Sequence, residues 1–325
     1  MKIAVIAPSA GLGQVFPHMV DLAVEKYKKY YNIDVELFET IKMTCEDVLN
    51  NPKKRAEDMN KAFYDESIDY VHSLIGGNDS VRILDFIDLD APDKVIIGFS
   101  DATPYLSYLA INGKTAYYGA SILAGMAEMD FLGEKFIKHF DDVVIKKEKE
   151  VVYPIYDFYV DGFKDWNDKN NKGELLEKTD TEGPRVLNGQ GKVSGKLWGG
   201  CMDSIEQFKQ IKYYPSEKYL TDKIIFFETS EDKPSPDLVK RWVRNYAMQG
   251  LFNRNKAVIF GNFAFYNDEE KEQVYKYIKD IISEYNEDLP VVVNCPIGHT
   301  YPTWVLPYNE VFEIDLDNLK FTLKR

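Results

Sequence analysis

The sequence has few cysteines and no long apolar run, and both shortages exclude classes of protein. Its three cysteines, Cys45, Cys201 and Cys295, show no C-x-x-C spacing, so neither a disulfide framework nor a zinc knuckle is expected. No segment approaches the roughly 20 apolar residues that a membrane-spanning helix needs. The short apolar stretch that follows Met1 predicts a first strand rather than a signal sequence. We therefore expect a cytoplasmic protein without a membrane partner.

Basic residues are also in short supply, with 40 Lys and Arg against 53 Asp and Glu and a formal net charge of −13. Such a charge repels phosphate backbones, so no nucleic acid polymer is expected as a partner. A complete G-x-G-x-x-G motif is missing as well, because Phe16 stands where the third glycine would follow Gly11-Leu12-Gly13. No histidine–carboxylate spacing suggests a metal site. We predict neither a cofactor nor a bound metal.

What the sequence does contain is material for a large core, since 45% of its 325 residues are hydrophobic. Through about residue 130, β-rich runs at 3–7, 34–38, 70–75 and 95–99 alternate with amphipathic stretches, which predicts a parallel sheet. A second pattern follows, with runs at 224–227, 257–260 and 291–293 and a β-rich tail at 305–323. We predict an α/β protein with a Rossmann-like (flavodoxin-like) N-terminal domain at 1–150, a linker or lid at 151–190, and a C-terminal α/β domain with a β-rich part at 191–325.

The most informative stretch is the apolar run that ends in Gly98-Phe99-Ser100-Asp101. A strand that stops at Ser100 and restarts as a helix places the hydroxyl at the carboxyl edge of the sheet, with helix N–H groups aimed at the same point. This arrangement is typical of a serine nucleophile. The same residues also fit an ordinary N-cap serine followed by Pro104 in the first helical turn. This stretch alone leaves both interpretations open.

A serine nucleophile needs a nearby base, and the chain has only four histidines. His299 is the strongest candidate because it lies just beyond an apolar strand in a loop marked by Gly and Pro. His72 and His139 are expected to be structural, and His18 is expected to be solvated at a helix start. Glu228 ends another apolar strand and is the candidate to orient the imidazole, although an acid in that position is usually only a switch from core to loop.

Backbone groups for transition-state stabilisation are predicted beside the same sheet edge. Gly76 and Gly77 follow the strand at 70–75 and offer N–H groups that suit an oxyanion hole, although a tight turn before a helix would have the same sequence. Two other nucleophile candidates are weaker. Cys201 is expected to be a buried, inert thiol, and Ser121, which follows Gly119-Ala120, is expected to pack in a helix.

Five motifs in chain order together resemble those of the LD-carboxypeptidase family of serine peptidases. They are Ile75-Gly76-Gly77-Asn78-Asp79-Ser80-Val81-Arg82-Ile83-Leu84, Gly98-Phe99-Ser100-Asp101, Leu197-Trp198-Gly199-Gly200, Phe226-Phe227-Glu228-Thr229-Ser230-Glu231 and Gly298-His299-Thr300. The resemblance runs over nearly the whole chain. It implies a catalytic triad of Ser100, Glu228 and His299, with the backbone N–H groups of Gly77 and Asp101 as the oxyanion hole. It also implies a homodimer.

The family includes murein tetrapeptide carboxypeptidases, which remove a terminal D-alanine, and microcin C self-immunity proteins, which cleave an amide in a peptide–nucleotide toxin. Asn78 stands where the tetrapeptidases have tyrosine, and Cys201 where they commonly have asparagine. Gly298-His299-Thr300 and Glu228-Thr229-Ser230-Glu231 look more like the self-immunity branch. This implies an amidase for a small peptide or aminoacyl nucleotide, with a murein tetrapeptide as the alternative substrate. In that branch aromatic side chains hold the base, a role for which Phe163 and Trp166 are candidates together with Asn78 as a substrate contact. Aromatics that cover a domain seam would give the same pattern.

A function of another class is a two-domain clamp that binds a ligand without catalysis. Such a protein would have no reason to combine Ser100 with Glu228 and His299. We therefore rank the hydrolase above the binding protein. Because Ser100 belongs to the first predicted domain and the other two residues to the second, we expect the triad to be assembled across the seam between them.

Overall fold

The computed structural model describes residues 1–325, in which strands and helices alternate along the chain. The strands are β1 Lys2–Ile6, β2 Asp34–Leu37, β3 Tyr70–Ser73, β4 Val95–Gly98, β5 Ala116–Tyr118, β6 Glu150–Val152, β7 Phe158–Tyr159, β8 Thr179–Asp180, β9 Arg185–Asn188, β10 Lys192–Cys201, β11 Lys223–Glu228, β12 Ala257–Gly261, β13 Val291–Cys295, β14 Leu306–Pro307, β15 Val311–Asp315 and β16 Lys320–Lys324. The α-helices are α1 Pro17–Tyr31, α2 Cys45–Asn50, α3 Pro52–Tyr64, α4 Thr103–Ile111, α5 Met129–Leu132, α6 Glu134–Phe140, α7 Met202–Phe208, α8 Glu217–Leu220, α9 Pro236–Met248, α10 Leu251–Arg254 and α11 Asp268–Tyr285. Short 3₁₀ turns cover Glu39–Lys42, Ser80–Phe86 and Ser100–Ala102, and a π-helical turn covers Asp141–Ile145.

The first sheet has six strands in the order β14-β5-β4-β3-β1-β2. Strands β1 to β5 are parallel to their neighbours, whereas β14 is antiparallel to β5. Every residue of β3 and β4 is buried, as expected for parallel strands whose two faces are both covered. The predicted parallel sheet is confirmed, with an antiparallel strand from the C-terminal part of the chain added at one edge.

The second sheet has eight strands in the order β6-β16-β15-β10-β11-β12-β13-β9. Its centre, β10 to β13, is parallel, and the outer strands pair antiparallel. The β-rich tail supplies β15 and β16, which confirms that part of the predicted fold class. Strands β6 and β9 belong to the ends of the predicted linker and are integrated into this sheet, while the domain boundaries themselves stay a prediction.

The two sheets share one hydrophobic core. A single cluster of 96 buried residues draws on both of them. Helix α4 and strand β10 are in contact, where the Trp198 indole donates to Ser107 Oγ at 2.9 Å and the Cys201 N–H donates to Thr103 Oγ1 at 3.0 Å. None of the helices combines the length and the apolar character that crossing a membrane requires.

The carboxyl ends of the parallel strands position the candidate residues. Ser100 lies two residues after β4 and begins a 3₁₀ turn, Glu228 is the last residue of β11, and His299 lies in the loop that follows β13. In parallel α/β sheets, ligands bind outside the carboxyl ends of the strands. The topology therefore places all three residues where a site is expected.

Candidate active site

Ser100 adopts a left-handed backbone conformation with φ of +58° between β4 and α4. Its hydroxyl makes no helix-capping bond and lies 3.1 Å from His299 Nε2. The residue is 8% exposed, so most of it is covered while part of it is accessible to solvent. The interpretation of Ser100 as an N-cap is wrong, because the turn that it begins directs the hydroxyl at the imidazole instead of at the helix.

Glu228 lies on the other side of the same imidazole. Its Oε2 is 2.8 Å from His299 Nδ1, and the carboxylate is buried at the end of β11. The loop that carries His299 reaches it through Gly298, which has φ of +96° and where a Cβ would lie 2.3 Å from Glu228 Oε2. Only glycine permits this approach without displacement. The structure thus joins the three predicted side chains in one chain of hydrogen bonds.

Tyr118 connects the two ends of this chain. Its hydroxyl donates to Glu228 Oε1 and accepts the Ser100 backbone N–H at 3.0 Å. Burial and the adjacent carboxylate raise the pKa of Tyr118 well above its usual range, so the hydroxyl keeps its proton and remains a donor. Sequence reasoning missed Tyr118, because an aromatic residue at the end of β5 carries no local signal that separates it from ordinary core.

The loop after β3, which carries Gly77, passes next to the Ser100 hydroxyl. The chain at Gly76 runs beside it, since a Cβ at that position would lie 3.0 Å from Ser100 Oγ. Gly77 has φ of +152°, and a Cβ there would lie 2.4 Å from Ser9 Oγ. The N–H groups of Gly77 and Asp101 donate to no acceptor in the protein. Such donors can stabilise a negative oxygen that forms next to the serine.

The Asp101 side chain fixes the loops that carry these amides. It is fully buried, and its Oδ2 accepts the Ser9 hydroxyl and, at 2.8 Å, the Ser80 N–H. Burial raises the pKa of Asp101 to about 6, although both hydrogen bonds act in the opposite direction. One carboxyl therefore ties together the loops that follow β1, β3 and β4.

A second carboxylate reaches the imidazole from outside. Glu231 Oε2 lies 2.8 Å from His299 Nε2, the same nitrogen that faces Ser100. Burial alone would lower the pKa of His299, but Glu228 and Glu231 outweigh that effect and raise it to about 10. The hydrogen bond to His299 in turn lowers the pKa of Glu231 to about 2. Sequence reasoning used Glu231 only as part of a motif; the signal that could have singled it out is a second acid three residues after the acid that ends the strand.

Of the predicted substrate contacts, the aromatic pair lies near this centre. Asn78 is exposed in the loop after β3. Phe163 and Trp166 are half-buried and stacked, with ring centroids 5.8 Å apart and an interplanar angle of 19°. Phe163 also packs on Tyr301 at 4.5 Å, two residues beyond His299. The aromatic pair therefore rests against the loop that carries the imidazole, and its role toward a substrate stays a prediction.

Glu128 holds Trp166, one member of this aromatic pair, through a hydrogen bond. Its carboxyl is fully buried and accepts the Trp166 indole N–H at 3.1 Å and the Gly125 N–H at 2.8 Å. Burial raises the pKa of Glu128 to about 8 despite both donors. A carboxyl of an unfolded chain titrates near pH ~4.3. Between these two pH values the folded protein therefore holds a proton that the unfolded chain has released.

This difference predicts how stability depends on pH. The free energy of unfolding should fall as the pH rises toward 8, and Glu128→Gln, which carries no titratable proton, should lack that part of the loss. Urea denaturation of both proteins at pH 5 and pH 8.5 measures it. From pH 5 to pH 8.5 the free energy of unfolding of the variant should fall by at least about 1 kcal/mol less than that of the parent, since one pKa unit corresponds to about 1.4 kcal/mol. Parallel pH profiles would contradict the burial of an ionisable proton at Glu128.

The remaining histidines lie away from this site or make structural contacts. His72 is fully buried in β3 and bonds to the Tyr27 hydroxyl and, at 2.7 Å, to the Ala120 carbonyl. His139 accepts the Val305 N–H at 2.9 Å. Both are structural, as predicted, while His18 is half-buried in the first turn of α1 and not fully solvated.

The two weaker nucleophile candidates are not activated. Cys201 is 1% exposed, which confirms that it is buried, and burial raises the pKa of its thiol well above the usual range. Ser121 is buried as expected, but the helix predicted around it is wrong. It lies in a tight turn, where its hydroxyl accepts the Ala124 N–H at 3.1 Å.

Family models and curated proteins are similar to this chain. The models of the N-terminal and C-terminal domains of LD-carboxypeptidases match residues 3–119 and 194–314. The microcin C7 self-immunity protein MccF of Escherichia coli is 26% identical over 282 residues, which cover 83% of this chain and 78% of that protein. The matched ranges include both ends of the hydrogen-bond chain described above.

Solved structures show the same fold over the full length. An MccF-like protein from Streptococcus pneumoniae, in complex with AMP, superposes with a TM-score of 0.87 at 24% identity and covers 99% of this chain and 98% of its own. MccF in complex with aspartyl sulfamoyl adenosine gives a TM-score of 0.85 at 22% identity and covers 100% and 96% of the two chains. The α/β fold, with its two sheets, is therefore shared with these proteins.

Proposed function

Since the chain belongs to the LD-carboxypeptidase family of peptidases, we propose that it is a serine hydrolase that cleaves an amide in a small aminoacyl nucleotide, with Ser100, His299 and Glu228 as its triad. The observation that carries the proposal is the continuous chain of hydrogen bonds, 3.1 Å from Ser100 Oγ to Nε2 and 2.8 Å from Nδ1 to Glu228. A serine, an imidazole and a carboxylate in this order activate a hydroxyl for attack on a carbonyl.

Each group has one role in the proposed reaction. Ser100 Oγ attacks the scissile carbonyl carbon and its proton passes to His299 Nε2. The oxyanion that forms accepts hydrogen bonds from the Gly77 and Asp101 N–H groups, which have no partner in the protein. His299 then gives the proton to the leaving nitrogen, the C–N bond breaks, and a water molecule hydrolyses the acyl-enzyme through the same relay.

Glu228 and Tyr118 support the imidazole without touching the substrate. Glu228 holds the imidazole tautomer whose Nδ1 carries the proton. The Tyr118 hydroxyl donates to the second oxygen of that carboxylate. Because the same hydroxyl accepts the Ser100 N–H at 3.0 Å, we assign Tyr118 as a positioning residue that fixes Ser100 relative to Glu228.

The nucleotide part of the proposal is supported by relatives and by the aromatic pair. MccF has been solved with aspartyl sulfamoyl adenosine and the Streptococcus pneumoniae protein with AMP. Phe163 and Trp166 stack on each other and pack on the loop of His299, so an adenine that continued this stack would lie close to the triad. Base–aromatic stacking is worth about 1–3 kcal/mol.

The direct test is hydrolysis of two substrates side by side, followed by mass spectrometry, with Ser100→Ala as the blank. The substrates are aspartyl sulfamoyl adenosine and an L,D-linked murein tetrapeptide. Cleavage of the adenosine conjugate supports the proposal. Release of D-alanine alone would instead assign the enzyme to peptidoglycan, and cleavage of neither would favour a binding protein.

Trp166→Ala is expected to separate the two substrates further. Loss of the stacked indole should lower kcat/KM for the adenosine conjugate at least about fivefold, because a stacking energy of about 1–3 kcal/mol corresponds to about 5- to 150-fold. The kcat/KM for the tetrapeptide should change less than about twofold. Steady-state kinetics on both substrates measures this. Trp166→Phe is the matched control, since it keeps a ring but loses the donor to Glu128. Equal losses on both substrates would mean that Trp166 only supports the fold.

A further inference from the structure

The nitrogen that must accept a proton from Ser100 is shared with a second acceptor. His299 Nε2 lies 3.1 Å from Ser100 Oγ and 2.8 Å from Glu231 Oε2. The hydrogen bond of Nε2 is directed at Ser100, and the Glu231 carboxylate beside it forms an ion pair when the imidazole is protonated. Nδ1 faces Glu228 at 2.8 Å and carries a proton. Two carboxylates 2.8 Å from its two ring nitrogens favour the imidazolium form of His299, and an imidazolium is unable to act as a base.

The side chain of Glu231 is free to leave this position although its backbone is held. The neighbouring Ser230 donates its N–H and its hydroxyl to Asp203 at 3.1 and 2.9 Å, which fixes the loop after β11. The Glu231 side chain itself is 63% exposed, against 6% for that of His299. A rotation of the side chain therefore suffices to uncover Nε2, and the loop need not move.

No cation of the chain replaces the imidazolium when Glu231 leaves. Neither Glu228 nor Glu231 forms an ion pair with a lysine or an arginine. Lys233, in the same loop, pairs with Glu270 at 2.8 Å. The titratable groups that face the imidazole or its carboxylates are all acidic or neutral: Glu228, Glu231, Tyr118, Cys201 and Tyr301. A substrate carboxylate in this position would be repelled by two acids.

Resting on the function proposed above, we propose that Glu231 selects the substrate: its carboxylate leaves Nε2 and pairs with a protonated amino group that the substrate carries next to the scissile carbonyl. His299 then releases the Nε2 proton to solvent and becomes the base. The substrate ammonium replaces the imidazolium as the cation that pairs with Glu231. Glu231 therefore keeps a positively charged partner while the imidazole becomes neutral. The free amine thus activates the relay that cleaves its own acyl group.

Paired substrates that differ only at this amine test the proposal. Aspartyl sulfamoyl adenosine and its N-acetyl derivative are compared on the parent, on Glu231→Gln and on Asp232→Asn. Asp232 is the matched control because it is an exposed acid in the same loop that makes no hydrogen bond or ion pair. The preference for the free amine is the kcat/KM of aspartyl sulfamoyl adenosine divided by that of its N-acetyl derivative. In Glu231→Gln this ratio should fall at least about tenfold, as expected for loss of one charged hydrogen bond. In Asp232→Asn the ratio should match the parent.

The pH dependence of kcat/KM would not change if Glu231 had only a structural role. In Glu231→Gln the acid limb of kcat/KM for the N-acetyl substrate should shift at least about one pH unit downward, because one of the two carboxylates that favour the imidazolium is gone. The parent and Asp232→Asn should keep the same limb. An unchanged substrate ratio, or an unchanged acid limb, in Glu231→Gln overturns the proposal.

Failure of the proposed function is distinguishable from failure of this inference. If the parent cleaves no substrate, the imidazole is titrated directly by nitrogen NMR on histidine-labelled protein, where four histidines give few signals. A lower His299 pKa in Glu231→Gln then supports the contact with Nε2 independently of turnover. An unchanged His299 pKa rejects it.

Discussion

Ser100→Ala is expected to lower kcat at least about 10⁴-fold while leaving the fold intact, since loss of the nucleophile in a serine triad removes nearly all of the catalysis that the triad supplies. The hydroxyl makes a single side-chain hydrogen bond, to His299 Nε2 at 3.1 Å, so its loss should cost no more than about 1 kcal/mol of stability. Alanine keeps the Cβ that the left-handed φ of +58° must already accommodate. Turnover on aspartyl sulfamoyl adenosine and urea denaturation measure both effects.

Ser121→Ala is the matched control for this variant. Ser121, like Ser100, stands two residues after a glycine and shortly beyond a strand of the first sheet. It is fully buried, but its hydroxyl forms hydrogen bonds only with the Ala124 backbone. Its kcat should stay within a few-fold of the parent. A fluorophosphonate should label the parent and Ser121→Ala once per chain and leave Ser100→Ala unlabelled. Labelling of Ser100→Ala, or turnover near the parent value, would remove Ser100 from the mechanism.

The strand ends were predictable because local sequence determines them. The apolar runs before Ser100, Glu228 and His299 are buried parallel strands, and all three residues lie at or beyond the carboxyl ends of those strands. Polar residues that follow such runs are forced to the edge of the sheet, where the chain leaves the core. The same logic located Gly77 after β3.

Features that depend on pairing between distant segments were not predictable. Strands β6 and β9 look like parts of a polar linker because each is short and owes its conformation to a partner, β16 and β13 respectively. The two-residue β14 joins the first sheet only because the chain returns to β5. Tyr118 likewise gains its role from Glu228, 110 residues away. Tertiary contacts override local preference in each case.

His299→Ala is expected to lower kcat/KM by about 10²- to 10⁴-fold, the range that general acid–base catalysis supplies. The imidazole is 6% exposed and packs against Phe99 at 4.4 Å between ring centroids, so the variant leaves a cavity lined by Phe99, Ser100 and Glu228. Added imidazole should enter that cavity, accept the Ser100 proton and restore part of the activity. Rates measured with and without imidazole at pH 8 test both statements.

The double variant Ser100→Ala/His299→Ala decides whether the two residues act as one unit. If His299 serves only to activate Ser100, its removal has no further effect once the hydroxyl is gone, and the double variant should be as slow as Ser100→Ala alone. Imidazole should then restore nothing, because no nucleophile is left to activate. A further loss in the double variant would instead mean that His299 acts on the substrate independently of Ser100, and the proposed relay from Ser100 through the imidazole to Glu228 would have to be abandoned.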